Sequence, residues 1–353
     1  MTRRYPCAAL FLAAVLCSAP VFSAERPRLG VLLVVDQLSV AHFDARLPGA
    51  TGGFRRLVAE GFRFRDARNR GAPALTALGH ATIATGAYAS VHGIVGNDWY
   101  DAALKRPVYV CEDPRYRILG REPVPGDGTA PSRMRAGTLG DALKAAYPEA
   151  KTVAIAGKDR AAMLLVGFSA NAAVWMDHVV PRFTSSNVYG SALPAWVEPV
   201  NERLATVMTA GMQWSLPRGG FTGASPPAWA TDVFGFGRSF PHVVNPKASA
   251  LEQTEQILHT PLINDCLVDL ALAAVQAEKL GADDVPDLLT VSFSTFDKVL
   301  HAFGPDSPEA AAVFSELDAQ LTRLLAGLDQ RVGKGKYVVA LTADHGGMNV
   351  AEV

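Results

Sequence analysis

Three apolar runs in this sequence end in acidic residues, and two of them add a histidine. "LLVVD" ends at Asp36, "TVSFSTFD" reaches Asp297 with His301 four residues on, and "VVALTADH" closes on Asp344 and His345. Such runs read as buried strands, and parallel sheets place ligand sites beyond the carboxyl ends of their strands. The three segments therefore converge on one crevice with three carboxylates and two imidazoles. Carboxylates crowded in a cleft repel one another and lose hydration, and a divalent cation relieves both problems. Aspartate oxygen with histidine nitrogen suits zinc, and less specifically manganese or iron. Five such ligands exceed one structural zinc site and suit two metals with open positions, an arrangement fitted to phosphate chemistry. A lone Asp after a strand is often only a turn cap; three such strand ends in one chain are a stronger signal.

A two-metal site needs a nucleophile, either water or a side-chain hydroxyl. "PALTALGHATIATG", residues 73–86, offers Thr76, Thr82 and Thr85. A hydroxyl at the start of a helix sits where backbone N–H groups and the helix dipole favour phosphate, and position selects Thr76. The competing role of a threonine there is a helix cap. His80, on the helix about one turn after Thr76, and His92, in "VHG", are explained by tight "GH" and "HG" turns and stand outside the metal set. "GKDR" follows the "TVAIA" run, so Lys158 and Arg160 leave the same sheet end as a point charge and a fork of donors matched to phosphate oxygens. Taken alone, the pair reads equally well as a solvated basic turn.

Strands must carry these residues. "LGVLLVVDQ", "TVAIAG", "DLLTVSFS" and "YVVALTADHGG" alternate with helical patterns such as "GGFRRLVAEG", "TPLINDCLVDLALAAVQAEKLG" and "SPEAAAVFSELDAQLTRLLAGL". In the last of these, Ser307 is placed as N-cap and Pro308 at the first helical position. The alternation predicts an α/β fold with a mostly parallel central sheet flanked by helices. The chain has 353 residues with a formal net charge of −1, so no basic surface argues for nucleic acid. "MTRRYPCAALFLAAVLCSAPVFSAERP" reads as a secretory signal peptide over 1–24, which predicts a periplasmic or secreted protein with no membrane partner after cleavage. A first core part then spans 25–165. An inserted cap covers 166–254, where tryptophans and prolines gather without clear period, and a second core part covers 255–353. Cys111 and Cys266 remain after signal removal; two cysteines do not make a framework, and their pairing is left open.

Taken together, VVDQ, T-x-x-GH-x-T-x-x-TG, HGIVGNDWYD, GKDR, D-x-x-x-H-x-FGP and T-A-DHGG, in this order, resemble the alkaline phosphatase superfamily. More closely, the set is similar to bacterial alkaline phosphatases that use threonine as nucleophile and carry a Lys-x-Arg pair, within the type I phosphodiesterase/nucleotide pyrophosphatase-like group. The resemblance spans the mature chain. It implies that Thr76 takes the phosphoryl group, that Asp36, Thr76, Asp344 and His345 hold one zinc, and that Asp297 and His301 hold a second. It further implies that Asn97 donates to a phosphoryl oxygen and that Lys158 and Arg160 bind the others.

The implied activity is hydrolysis of small phosphate monoesters through a phosphothreonine, with two Zn2+ per complete site. A phosphodiesterase or nucleotide pyrophosphatase is the nearest alternative, and an inactive phosphate-binding chain the other. Leu300 stands where the family has glycine before the second-site histidine. A further histidine that the family supplies far downstream lies past Val353, so the sequence reads as cut short and its own activity is expected to be low or absent.

Overall fold

A computed structural model describes residues 26–68, 71, 73–216 and 230–347. The expected signal peptide lies outside the described residues. The central sheet has seven strands. In spatial order they are β11 (Tyr337–Thr342), β1 (Leu29–Val35), β10 (Asp287–Phe293), β5 (Thr152–Ala156), β6 (Ala172–Met176), β7 (Phe183–Ser186) and β4 (Ile118–Leu119). The first five run parallel, and β7 and β4 join antiparallel at one edge. A mostly parallel α/β sheet is therefore what the chain forms. Two small ribbons stand apart from it, β2 (Asp98–Asp101) with β3 (Arg106–Tyr109) and β8 (Met212–Trp214) with β9 (His242–Val244).

The middle strands are buried on both faces, which is why they read as unbroken apolar runs. Alternate residues feed two cores. Val153 and Ile155 of β5 face one, and Ala154 and Ala156 face the other. The first core is filled by α2 (Gly53–Glu60), α7 (Glu198–Ala210), α9 (Leu262–Ala277), α10 (Thr295–Phe303) and α11 (Pro308–Leu328), with Phe54 stacked on Phe314 at 4.7 Å between centroids. The second is made by α3 (Thr76–Thr85) and α6 (Asp159–Val166). The other α-helices among the described residues are α1 (Val40–Arg46), α4 (Ala89–His92), α5 (Leu139–Ala146) and α8 (Ala250–Leu258). Cys111 and Cys266 are both free and buried, one in each core, so the sheet separates them.

Local signals explain most boundaries. Ser307 Oγ accepts the Ala310 N–H at 3.0 Å and Pro308 opens α11, as its sequence predicts. Thr138 and Asp141 form a capping box at α5, and Ser249 and Glu252 another at α8. The start of α2 is capped from a distance: Asp318 of α11 accepts the N–H groups of Thr51, Gly52 and Phe54 at 2.9, 2.6 and 2.8 Å. One sequence boundary falls inside the sheet. Residues 166–254 were expected to form a cap, yet they supply β6 and β7 to the central sheet before α7, β8, β9 and most of α8 follow. "AAVWM" is short and wholly buried, and its tryptophan, Trp175, packs into the second core rather than a cap. Among the described residues, no single helix is long and apolar enough to cross a membrane.

Candidate active site

The carboxyl ends of β1, β10, β5 and β11 open on one side of the sheet, and the residues singled out by spacing follow them. Asp36 comes directly after β1 and is fully buried. The register pairs Val34 with Ser292 of β10, which places the Ser292 hydroxyl to donate to Asp36 Oδ1 at 2.9 Å. Asp297 lies in the first turn of α10, and His301 follows one turn later with Nε2 3.2 Å from Asp297 Oδ1; its imidazole is 67% exposed. Asp344 follows β11 and is gripped by backbone, its Oδ1 accepting the N–H groups of Gln37 at 3.0 Å and His345 at 2.8 Å. Gln37 adopts φ +64°, a left-handed conformation that costs a residue with a side chain, and that turn aims its amide at Asp344. His345 Nε2 lies 3.4 Å from Asp344 Oδ2 and 4.0 Å from Asp297 Oδ1.

Thr76 is the first residue of α3 and is buried, as its position in the sequence anticipates. The glycine of "GH" is needed here for closeness: a Cβ on Gly79 would stand 2.2 Å from the Asp344 carbonyl oxygen, so only glycine lets α3 approach the end of β11. Asn97 Oδ1 accepts the Ala77 N–H at 3.0 Å, which fixes the amide and leaves its NH2 as the outward donor. Thr82 and Thr85 take other work. Thr82 Oγ1 meets His92 Nε2 at 3.2 Å, and Thr85 Oγ1 donates to the Ala81 carbonyl before Gly86 ends the helix.

Two cations close the site from β5. Lys158 Nζ donates to Asp297 Oδ2 at 2.7 Å and Asp36 Oδ2 at 3.0 Å, and lies 3.5 Å from Thr76 Oγ1. Burial disfavours its charge, but the carboxylates of Asp36 and Asp297 outweigh that and push its pKa up. Burial likewise raises Asp297, and Lys158 with His301 overcomes it, holding the carboxyl well below its usual range. Arg160 follows in the first turn of α6; its Nη1 donates to the Tyr109 hydroxyl at 3.3 Å, and its Nε is buried with no hydrogen-bond partner. That Nε–H is available to an anion bound beside Lys158.

His80 requires a correction. The sequence places it on the helix after Thr76, and there it stands, in α3; but its "GH" context reads as a turn outside the metal set, and the structure buries it fully at the centre of the site. The ring Nδ1–H donates to the Thr76 carbonyl at 2.8 Å, and Nε2 lies 2.9 Å from Ser292 Oγ. Nε2 is also 3.5 Å from Asp36 Oδ1, and Nδ1 is 3.4 Å from Asp344 Oδ2. Burial would keep the ring neutral, but the carboxylates of Asp344 and Asp36 win and raise its pKa. His92 does end a short helix against Gly93; its Nδ1 accepts the Ile94 N–H, and burial lowers its pKa.

Three buried carboxylates, of Asp36, Asp297 and Asp344, thus face one buried ammonium. Asp297 Oδ1 is buried, with the Nε2 atoms of His301 and His345 3.2 and 4.0 Å from it. Ligand atoms of Asp36, His80 and Asp344 lie within 4.8 Å of one another. Carboxylate oxygens and imidazole nitrogens arranged this way fit a divalent metal ion. Both His80 nitrogens already have partners, so it serves best behind the ligands, orienting Asp36 through Ser292.

Ser292, His80 and Gln37 were missed by sequence reasoning. Ser292 left one trace, a small polar residue next to the carboxyl end of β10 at Phe293.

The whole described chain can be set beside known proteins. The signature of type I phosphodiesterase / nucleotide pyrophosphatase matches residues 30–353. Alkaline phosphatase PhoV of Synechococcus elongatus is 35% identical over 337 residues, 93% of this chain and 60% of its own length. Alkaline phosphatase PafA of Elizabethkingia meningoseptica is 32% identical over 331 residues, 92% of this chain and 60% of its own. The crystal structure of wild-type PafA superposes with a TM-score of 0.81 at 32% identity, covering 91% of this chain and 63% of that one. The chain therefore spans about three-fifths of the length of the curated relatives it matches.

Proposed function

The chain belongs to the type I phosphodiesterase / nucleotide pyrophosphatase family, and on that premise we propose that it carries the active site of a zinc-dependent phosphate monoester hydrolase, an alkaline phosphatase working through a phosphothreonine on Thr76. One observation carries the reading. The Thr76 hydroxyl, at a helix N-terminus, stands 3.5 Å from a Lys158 ammonium that rests on two of three clustered carboxylates.

In this proposal Asp36, Thr76, Asp344 and His345 hold one zinc ion, and Asp297 and His301 hold the second. Zinc supplies Lewis-acid charge at the phosphoryl group and lowers the pKa of a hydroxyl it touches. The chain's own residues do the rest. The N-terminus of α3 favours the anion and presents the Thr76 oxygen to phosphorus. The Asn97 amide, held by Ala77, donates to one phosphoryl oxygen. Lys158 turns from the carboxylates to the phosphate, and with Arg160 neutralises the remaining oxygens as charge builds on them. The substrates are small phosphate esters, and the place of action is periplasmic or extracellular, in keeping with the leader-like first residues.

A diesterase built on the same residues is the second reading. Two cations beside the nucleophile favour the dianionic monoester over a diester with one charge fewer. Hydrolysis of nitrophenyl phosphate and bis-nitrophenyl phosphate, with and without zinc, tests the choice. Zinc-dependent preference for the monoester is expected, together with loss of a trappable phosphoenzyme in Thr76→Ala. Preference for the diester, or normal turnover by Thr76→Ala, would overturn the proposal.

A further inference from the structure

We infer that Tyr109 is a positioning residue for Arg160, its hydroxyl standing between the Asp159 carboxylate and the guanidinium so that the arginine stays aimed at phosphate. The inference rests on the reading of Arg160 as a phosphate ligand.

Tyr109 ends β3, opposite Asp98 at the base of the β2–β3 ribbon, and the next residue, Val110, donates its N–H to the Asn97 carbonyl at 2.8 Å. The same ribbon base thus holds Asn97 against α3 and Tyr109 against α6. The Tyr109 hydroxyl donates to Asp159 Oδ1 at 2.5 Å and accepts from Arg160 Nη1 at 3.3 Å. Asp159 Oδ1 also takes the backbone N–H of Arg160 at 2.7 Å, while the direct distance from Arg160 Nη1 to Asp159 Oδ1 is 4.0 Å.

A largely buried carboxylate on the preceding residue is a strong competitor for a guanidinium, because their fork-shaped pairing is among the tightest polar contacts in proteins. Here that pairing is not made. The phenol fills the carboxylate oxygen that would otherwise draw Arg160 sideways, and it gives the guanidinium a neutral acceptor instead. Arg160 Nε is left without a partner, and that is the feature a phosphate oxygen needs. Burial, and after it the charge of Asp159, pushes the Tyr109 pKa well above its ordinary value, so the phenol keeps its proton and remains the donor. Removing only the hydroxyl, in Tyr109→Phe, lets Arg160 close on Asp159.

The test uses inorganic phosphate binding by calorimetry, alongside kcat/KM for nitrophenyl phosphate and its diester. Tyr109→Phe is expected to weaken phosphate binding and monoester kcat/KM about tenfold, with a smaller loss for the diester, which carries one charge fewer. A merely structural loss would lower both substrates together. Adding Asp159→Asn to Tyr109→Phe removes the competing carboxylate and restores most of the phosphate affinity. Asp159→Asn alone keeps phosphate affinity within about twofold and serves if Tyr109→Phe does not fold; a tenfold loss in it would overturn the proposal. Unchanged phosphate affinity in Tyr109→Phe, with a clear loss in Arg160→Ala, overturns the positioning role alone. Unchanged affinity in Arg160→Ala defeats the reading of Arg160 itself, and the inference with it.

Discussion

Lys158 Nζ donates to Asp297 Oδ2 at 2.7 Å, so the site's own ammonium occupies a carboxylate assigned to a metal. A buried cation there relieves repulsion between Asp36 and Asp297, and a divalent ion competes for the same oxygens. Lys158→Met should therefore lower the melting temperature in chelator by several degrees, since breaking a buried pair costs about 3–5 kcal/mol. Zinc should restore more stability to the variant than to the parent. Thermal melting with chelator and with zinc decides it; equal zinc-induced shifts in both proteins would refute the competition.

His80 acts through its neighbours. It joins the Thr76 carbonyl to Ser292, whose hydroxyl holds Asp36. His80→Ala is expected to weaken zinc binding about 10–100-fold, the usual cost of losing a group behind a ligand. Equilibrium titration against a fluorescent zinc chelator measures this. Unchanged affinity would return His80 to a packing role.

Stability should hinge on Asp318, whose carboxylate accepts three N–H groups at the start of α2. Asp318→Ala leaves those donors without their acceptor beside a buried aromatic stack, at a cost of about 3 kcal/mol. Urea unfolding should show a lower midpoint with an unchanged slope. A loss under about 0.5 kcal/mol would mean that water replaces the carboxylate.

His259 makes stability depend on pH. Burial lowers its pKa from 6.5 to about 4, and its Nδ1–H donates to the Glu255 carbonyl at 2.7 Å. Between those two values the unfolded chain binds a proton that the folded chain refuses. Stability therefore rises with pH across that window, by roughly 3 kcal/mol in full, and the gain is complete above pH 6.5. Unfolding free energies at pH 5 and pH 7 should converge in His259→Gln relative to the parent. An identical pH slope in both proteins would assign the dependence elsewhere.

Legibility followed the reach of the physics. The parallel strands were readable because burial on both faces leaves an unbroken apolar run, and the acidic strand ends because a ligand crevice follows from sheet direction alone. That Thr76 opens a helix was readable, whereas a nucleophile's role was not distinguishable from a helix cap without the family resemblance. The helix position of His80 was readable but its place among the carboxylates was not, because "GH" suggests only a turn; Gly79 is there for close packing on Asp344, a demand set by a segment 265 residues away in sequence. The division at residue 166 failed for a related reason, since "AAVWM" has the length and tryptophan of an irregular loop, and only its neighbours β5 and β7 make it a strand. Tyr109 left no local trace, because its partners Asp159 and Arg160 lie some fifty residues on.

The β2–β3 ribbon has a permissive end and a strict one. Its tip, residues 102–105, is exposed to solvent, so insertions or swaps there can accumulate while the base stays fixed. The base tolerates no slippage: moving the pairing of Asp98 with Tyr109 by one residue would turn the tyrosine to the opposite face. The tip can therefore lengthen or change chemistry at little cost to the site, while a change at the base disturbs Asn97 and Tyr109 together.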